Sequence, residues 1–410
     1  MQRRHLLLAG LLAPVLAKAS ATTTLTAAAF PSVDAILRAA RPEWNRRRPD
    51  VAFEVVPREP DDHHTAMVTA IATSSHLPDV MAIELRFLGR FVASGAFEDL
   101  SRPPYNAFDH RAHWVPFALA QAGTATGGLA AVPADVAPGS LFYRNDVLAR
   151  SGIAAADLTR SWESFVASGA RIRAATGAHL IAHAQELKDV IIRCGLGPTE
   201  GVYFDRGARV LIDTPRFHRA FALARQARAA GLDARLAPWS SERSEALRRG
   251  TVATQMMGSW FAGHLSNWLA PTTSGLWRCA PLPDGARCAW GGTFYAIPRR
   301  APHKELAFEL IRLMSLDRDT QLAAFKLQNS FPALLDTYQD SFFEQPIPFL
   351  GGQEARLLWR DAAVAIPPFL VQKLDPIAAE IVDSALDEVL IEGRDIPTAL
   401  GHTGLRRNRP

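Results

Sequence analysis

The sequence has few cysteines and, beyond its N-terminus, no long apolar run. Only three of the 410 residues are cysteine, too few for the disulfide-rich scaffolds of small secreted domains. No later stretch approaches the ~18 consecutive apolar residues typical of a membrane-spanning helix. With 48% hydrophobic and 21% charged residues, the composition is that of a globular chain long enough for two lobes, each with its own core.

Sequence signatures of catalysis, nucleotide binding and metal binding are also missing. The chain has no G-x-S-x-G, G-x-x-x-x-G-K-[ST], G-x-G-x-x-G, H-E-x-x-H or C-x-x-C pattern. His63 and His64 follow two acids, but adjacent histidines on a helix point about 100° apart and do not easily share a metal. We therefore interpret them as exposed residues at a helix start, and we expect no metal and no cofactor.

Residues 1–21 form the expected signal peptide. Arg3 and Arg4 precede the short apolar run "HLLLAGLLAPVLA", and small residues at alternating positions then offer cleavage sites. The pattern fits a general secretory signal, and "RRHLLL" partly fits a twin-arginine signal. The segment holds three basic residues and no acid, so without it the net charge falls from +4 to +1. No nucleic-acid partner is therefore expected.

Two of the cysteines are close in sequence. Cys279 and Cys288 flank "APLPDGAR", whose Pro-Asp-Gly predicts a turn. A hairpin there would bring the two together, and in an exported protein they could form a disulfide. The alternative is a pair of reduced, half-buried thiols. We favour the disulfide, which leaves Cys194 as an odd buried thiol.

Strand and helix patterns alternate along the chain. Strand-like segments at 24–30, 51–57, 78–83 and 128–133 are separated by helical patterns. Pro42 lies inside the first helical pattern and predicts a kinked or shortened helix. A later helix has clear ends, with Thr214 and Pro215 at its start and Gly231 after its last turn. The alternation predicts an α/β fold with parallel strands.

Several of the nine tryptophans lie next to turns. A tryptophan with small neighbours can offer a flat face to a ligand, and sugar rings have apolar faces that suit such a platform. Trp260 follows Gly258 closely, and Trp290 precedes Gly291 and Gly292. These two are the strongest candidates, whereas most tryptophans are expected in the core.

A series of sequence blocks runs through the chain in a distinctive order. They are "LTAAAFPSVDAILRAARPEWNRRRPDVAFEVV", "LPDVMAIELRFLGRFVASGAFEDLS", "GGLAAVPADVAPGSLFYRNDVLARSGI", "SWESF", "GTVATQMMGSW", "WGGTFYAIPRRAPHKELAFELIRLMS" and "IEGRDIPTAL". Together they resemble the family-1 extracellular solute-binding proteins of carbohydrate-type ABC importers. The resemblance implies a two-lobed α/β periplasmic binding protein fold of type II, with a hinge and a ligand cleft between the lobes. It implies no catalysis.

The resemblance also implies how the chain divides between the lobes. The N-terminal lobe takes residues 22–135 and 295–332, and the C-terminal lobe takes residues 139–292 and 336–410. Crossings between them are expected near "VPADVAP", "FYAIP" and "SFPALL".

Ligand contacts follow from the resemblance, at the loops that come after the strands. The implied residues are Phe30, Ser32, Glu84, Arg86, Asp135, Tyr143, Trp260, Gly292, Thr293, Tyr295 and Gln353. The chain departs from the family at "AIELRF", where some sugar binders carry an aspartate and aromatics. Glu84 and Arg86 must serve there, or they form a surface ion pair at the edge of the cleft.

The implied function is capture of a carbohydrate in the periplasm by a monomer, which delivers it to the transmembrane subunits of an ABC permease. A phosphorylated polyol and a polyamine stay open as alternative ligands. An exported glycan-acting enzyme is a further alternative, and it would need a pair of carboxylates facing one glycosidic bond.

Overall fold

A computed structural model describes residues 23–403. The predicted signal peptide and the basic C-terminal end lie outside the described residues. Within the described part of the chain, none of the helices is long and apolar enough to cross a membrane.

One eight-stranded sheet forms the centre of the molecule. Its strands are β1 (Thr23–Ala29), β2 (Val51–Pro57), β3 (Val80–Glu84), β4 (Val132–Arg144), β5 (Thr254–Gly258), β6 (Trp277–Ala280), β7 (Ala289–Ala296) and β8 (Phe331–Pro332). The order is β2-β1-β3-β7-β4-β5, and β6 and β8 also pair with β4. Only β1 runs parallel to its partners, β2 and β3. The expected α/β fold is confirmed, but its sheet is mixed rather than parallel.

Seventeen α-helices surround the sheet in the described part of the chain. They are α1 (Val33–Ala39), α2 (Arg41–Arg47), α3 (Pro60–Thr73), α4 (Leu85–Ala93), α5 (Pro116–Gln121), α6 (Asn145–Ser151), α7 (Ala155–Thr159), α8 (Trp162–Thr176), α9 (Gln185–Ile191), α10 (Pro215–Ala229), α11 (Ser241–Arg249), α12 (Phe261–His264), α13 (Lys304–Leu316), α14 (Arg318–Gln328), α15 (Ala355–Ala365), α16 (Asp375–Ile391) and α17 (Ile396–Gly401). A π-helix, Leu265–Leu269, continues α12.

Further short helical turns are of the 3-10 type. They cover Ala107–His113, Pro271–Thr273, Pro283–Gly285, Leu335–Thr337, Ser341–Glu344 and Pro348–Leu350.

Helix ends follow the sequence signals closely. Pro42 takes the start of α2, so the first helical pattern is divided into α1 and α2 as expected. Pro215 begins α10 after Thr214, and Gly231 follows that helix with a left-handed φ of 65°. Proline fits the first turn because the N–H groups there have no carbonyl partner within the helix, so proline loses no hydrogen bond.

The long strand β4 ties two parts of the sheet together. Its first half pairs with β7 from Val132 to Pro138, and its second half pairs with β5 and β6. The predicted strand at 128–133 overlaps β4 only at Val132 and Pro133, so it was placed too early in the chain, because the polar and proline-containing continuation stays extended through this crossing.

Buried apolar side chains form two groups. One surrounds β1, β3 and β7 and includes Leu25, Ile83 and Phe294. The other surrounds the second half of β4 with α8 and α10, where Phe165 and Phe221 are buried. Two cores fit the expected two-lobed fold, while the residue boundaries of the lobes stay a prediction.

The expected disulfide is not formed. Cys279 and Cys288 are free thiols, as is Cys194. Cys279 lies on β6 and accepts a hydrogen bond from Trp359 Nε1 at 3.3 Å, while the neighbour of Cys288 is Cys194. The Pro-Asp-Gly turn forms a short helical turn at Pro283–Gly285, so the two segments do not pair as a hairpin.

Candidate functional site

A cavity of about 700 Å³ opens where the sheet crosses between its two parts. Its walls come from the loop after β1, the β3–α4 corner, the middle of β4 and β7, the start of α9 and the segment before α16. This volume lies within the range of small-molecule sites.

Eight of the eleven implied ligand residues line this cavity, although they come from five separate parts of the chain. They are Phe30, Ser32, Glu84, Arg86, Asp135, Trp260, Gly292 and Thr293. Direct contact of these residues with a ligand stays a prediction.

The other three implied residues lie elsewhere. Tyr143 is buried where β4 pairs with β5 and β6. Tyr295 is buried in the sheet between β3 and β4. The side chain of Gln353 accepts from Cys279 N at 2.8 Å and donates to Cys279 O at 2.6 Å. These three residues do not line the cavity, so the structure does not bring them together with the other eight, and their contact with a ligand stays a prediction.

Indole rings form one wall of the cavity. Trp260 Nε1 donates to the carbonyl of Trp290 at 3.0 Å, which orients the ring. A Cβ at Gly258 would lie 2.5 Å from that nitrogen, so this glycine is needed for the indole to fit. Trp290 also lines the cavity, with the Arg193 guanidinium 4.8 Å above its ring centre.

Glu84 and Arg86 form an ion pair at the cavity edge. Arg86 Nε lies 3.2 Å from Glu84 Oε2, and its NH2 group also reaches Asp61 at 2.5 Å. Desolvation raises the pKa of Glu84, because burial disfavours its charged form. Glu84 and Arg86 are therefore paired with each other, as one interpretation expected, and they also line the cavity, while their contact with a ligand stays a prediction.

The predicted exposed histidines are buried instead. His63 Nε2 contacts Ala82 O at 2.7 Å. His64 Nδ1 contacts Pro60 O at 2.6 Å, and His64 Nε2 accepts from Glu84 N at 3.0 Å. Burial lowers the pKa of His64 to about 3, so the ring is neutral. These histidines position the β3–α4 corner, and residues 23–403 contain no cluster of side chains that could hold a metal.

Asp135 lies where three crossing segments meet. Its Oδ1 accepts from Thr293 N at 2.8 Å on β7, and its Oδ2 accepts from Ser330 Oγ at 2.8 Å just before β8. Desolvation raises the pKa of Asp135, although both hydrogen bonds favour the charged form. Through these two hydrogen bonds, the carboxylate links β4 to β7 and to the segment before β8.

A buried polar network at the cavity was missed from the sequence. Glu186 on α9 accepts from Arg243 at 2.8 Å and from Gln255 at 3.0 Å. Desolvation raises the pKa of Glu186 to about 7, against the opposing charge of Arg243. The three residues come from α9, α11 and β5, so no local sequence pattern signals their meeting.

Asp375 is a second acid that was missed. It begins α16 and lines the cavity. One of its oxygens accepts from Gln372 N at 2.7 Å, whereas Oδ1 is buried with no hydrogen-bond partner among the described residues. Desolvation raises the pKa of Asp375 to about 7. The free oxygen can accept a hydrogen bond from a hydroxyl or ammonium group.

Comparison with protein families gives one match over most of the chain. The model of the family described as bacterial extracellular solute-binding protein matches residues 42–348. Among proteins of curated function, none matches this sequence.

Solved structures share the fold over nearly the whole chain. A crystal structure of an extracellular solute-binding protein of family 1 is 22% identical, with a TM-score of 0.83, and covers 93% of this chain and 98% of its own. The sugar-binding protein MalE of Xanthomonas citri is 18% identical, with a TM-score of 0.76, covering 94% and 96%. The galacto-N-biose/lacto-N-biose I-binding protein of Bifidobacterium longum, in complex with lacto-N-biose, is 17% identical, with a TM-score of 0.76, covering 93% and 95%.

Proposed function

Because this chain belongs to the bacterial extracellular solute-binding protein family, we propose that it is the substrate-binding component of an ABC importer for a sugar or related polyol. In this proposal the exported, monomeric protein loses its signal peptide, captures the ligand in the periplasm and delivers it to a membrane permease. MalE and the lacto-N-biose-binding protein, which share its fold, are sugar-binding proteins.

One observation carries the choice of a sugar. A single cavity combines the face of Trp260 with hydrogen-bonding acids, among them Asp375 with its unpartnered oxygen. A pyranose ring presents an apolar face to an indole and hydroxyl groups to carboxylates. This pairing of flat and polar surfaces supports a ring-shaped, hydroxyl-rich ligand.

The position of the cavity supports capture by closure. Residues on both sides of the β4–β7 crossing line it, such as Glu84 on one side and Trp260 on the other. A ligand that contacts both sides binds the closed form more tightly than the open one and therefore shifts the population towards closure.

The phosphate and polyamine alternatives have less support. Arg86 is already paired with Glu84 and Asp61, which leaves less positive charge for a phosphate. Five carboxylates line the cavity, but three arginines line it too, so it is not the acidic box that a polyamine would favour.

Thermal-shift measurements test this function. We expect at least one member of a panel of sugars and polyols to stabilise the protein, by about 2.7 kcal/mol at a hundredfold excess over Kd. Trp260→Ala should abolish that shift and Trp260→Phe should retain part of it, since both lose the bond to Trp290 but only the second keeps a ring. Stabilisation by polyamines or polyol phosphates alone would refute the sugar assignment.

A further inference from the structure

Aromatic rings continue from the cavity to the protein surface in one row. Trp260 precedes α12, His264 ends it, and Trp268 lies in the π-helix that follows. The ring centre of His264 is 4.8 Å from that of Trp260 and 5.4 Å from that of Trp268, so the three rings lie side by side. Trp239, from the loop before α11, lies between the two tryptophans. Its ring centre is 6.1 Å from Trp260 and 6.3 Å from Trp268, with interplanar angles of 30° and 29°.

The outer half of this indole row, Trp239 and Trp268, is exposed. Trp239 is 52% exposed and Trp268 is 53% exposed, whereas Trp44, Trp114, Trp277 and Trp359 are fully buried. Tryptophan offers a large apolar surface that is seldom left in water without a function. Two adjacent exposed indoles therefore form a surface suited to a ligand.

The backbone at Trp239 supports the same interpretation. Its φ is +59°, a left-handed conformation that is rare for a bulky residue. Such conformations cost of order 1–3 kcal/mol and cluster at ligand-binding positions. In this conformation the indole of Trp239 lies beside those of both Trp260 and Trp268.

The row is continuous with the cavity. Trp239, Trp260 and His264 line the cavity, and Trp268 lies beyond them. His264 Nδ1 is buried with no hydrogen-bond partner among the described residues, so it can bond a ligand hydroxyl beside the rings. A ligand that enters along this row therefore contacts several indole rings in turn, with the His264 ring beside them.

We propose that the ligand is an oligosaccharide, rather than a monosaccharide, and that its outer sugar unit stacks on Trp268 outside the cavity. This inference rests on the proposed function and adds the length of the ligand and the residue that selects it. The inner unit lies on Trp260 within the cavity, and Trp239 separates the two positions.

Size-graded oligosaccharides test the inference. Malto-, cello-, xylo- and galacto-oligosaccharides of one to five units are titrated by calorimetry into the full-length mature protein. In the series that binds, we expect affinity to rise about threefold to tenfold between the shorter and the longer members, the range typical of one aromatic contact. Trp268→Ala should remove that increase and leave the affinity for the shortest binding member unchanged.

Two variants control this experiment. Trp268→Phe should restore part of the increase because it keeps a ring. Ile391→Ala, which truncates another exposed side chain at the far end of α16, should keep the full increase. The inference would be overturned if the wild type bound oligosaccharides of all lengths equally well, or if Trp268→Ala lowered the affinity by the same factor at every length. Sugar binding itself would stand in both cases. Failure of every saccharide to bind would instead overturn the proposed function, and the inference with it.

Discussion

Asp375 is an acid of the cavity that is only partly satisfied by the protein. One oxygen has no hydrogen-bond partner among residues 23–403, and the other accepts from the backbone of Gln372. With its pKa raised to about 7 by desolvation, the folded protein holds a proton that the unfolded chain releases near pH 4. The free energy of unfolding therefore falls as pH rises from about 4 to about 7, because over that range the unfolded chain releases this proton while the folded protein still holds it.

Asp375→Asn should remove this dependence. We expect the variant to match the wild type near pH 4 and to exceed its free energy of unfolding by at least about 1 kcal/mol at pH 8. Urea denaturation across this pH range measures the difference. Asp361→Asn, at a largely exposed acid, should leave the slope unchanged. Glu186, whose pKa is also raised to about 7, should give both proteins part of the same dependence on pH. If the free energy of unfolding changed with pH equally in the wild type and in Asp375→Asn, the raised pKa of Asp375 would be contradicted.

Sequence patterns identified some of these residues and not others, for a physical reason. Trp260 was predictable because its glycine neighbours are close in the chain. Glu186, Trp239 and Asp375 were not, because they reach the cavity from elements that meet only in the folded molecule. His63 was expected at the surface, since a sequence shows a polar side chain but not the Ala82 carbonyl that bonds it.

At the scale of elements, the segment 366–374 between α15 and α16 bridges several others. Phe369 stacks on Phe117 of α5, with ring centres 6.4 Å apart. Leu370 N donates to Glu200 O at 3.0 Å. On α4, Gly89 packs directly against the backbone of Gln372, and a Cβ there would lie 2.4 Å from Gln372 O. The segment, which lines the cavity, therefore depends on the absence of a side chain at residue 89.

Gly89→Ala should displace this segment. Although alanine favours a helix, the clash with backbone should lower the free energy of unfolding by about 1–3 kcal/mol and speed hydrogen exchange at the Leu370 amide. Gly401→Ala is the matched control, since Gly401 also lies in a helix but none of the neighbouring atoms of residues 23–403 comes within 4 Å of its added Cβ. If both variants had the same free energy of unfolding and the same exchange rate at the Leu370 amide, the close contact between Gly89 and Gln372 would not contribute to stability.

The order of elements was largely predictable, whereas their pairing was not. Proline and glycine signals predicted the interruption at Pro42 and both ends of α10, since these depend on local backbone chemistry. Strands were expected to run parallel because helices separate them in sequence. Instead β7 returns antiparallel between β3 and β4, a pairing of segments more than a hundred residues apart that no local pattern encodes.

For the whole molecule, Asp135 is the residue that joins the crossing segments. Its carboxylate accepts hydrogen bonds from Thr293 of β7 and from Ser330, just before β8. Its loss should therefore affect the relation between the two parts of the protein as well as local stability.

Asp135→Ala should lower the free energy of unfolding by about 1–3 kcal/mol, because the Thr293 amide loses its carboxylate acceptor. It should also enlarge the radius of gyration of the ligand-free protein measured by small-angle X-ray scattering. Asp395→Ala is the control, because it removes an acid that accepts a hydrogen bond from Thr398 N within a single helix start. The control should lose stability without changing size. An unchanged radius for Asp135→Ala would restrict Asp135 to a local role.

The crossing itself has a mechanical asymmetry. On β4, Pro133 and Pro138 have a fixed φ, and the register with β7 shifts next to each of them. The facing part of β7 holds Gly291 and Gly292, with φ of 113° and 143°, where the backbone is least constrained. The backbone of β4 is therefore constrained here and that of β7 is flexible. We expect any rotation between the two parts of the molecule to occur as torsion in β7 around Gly291 and Gly292, while β4 keeps its backbone geometry.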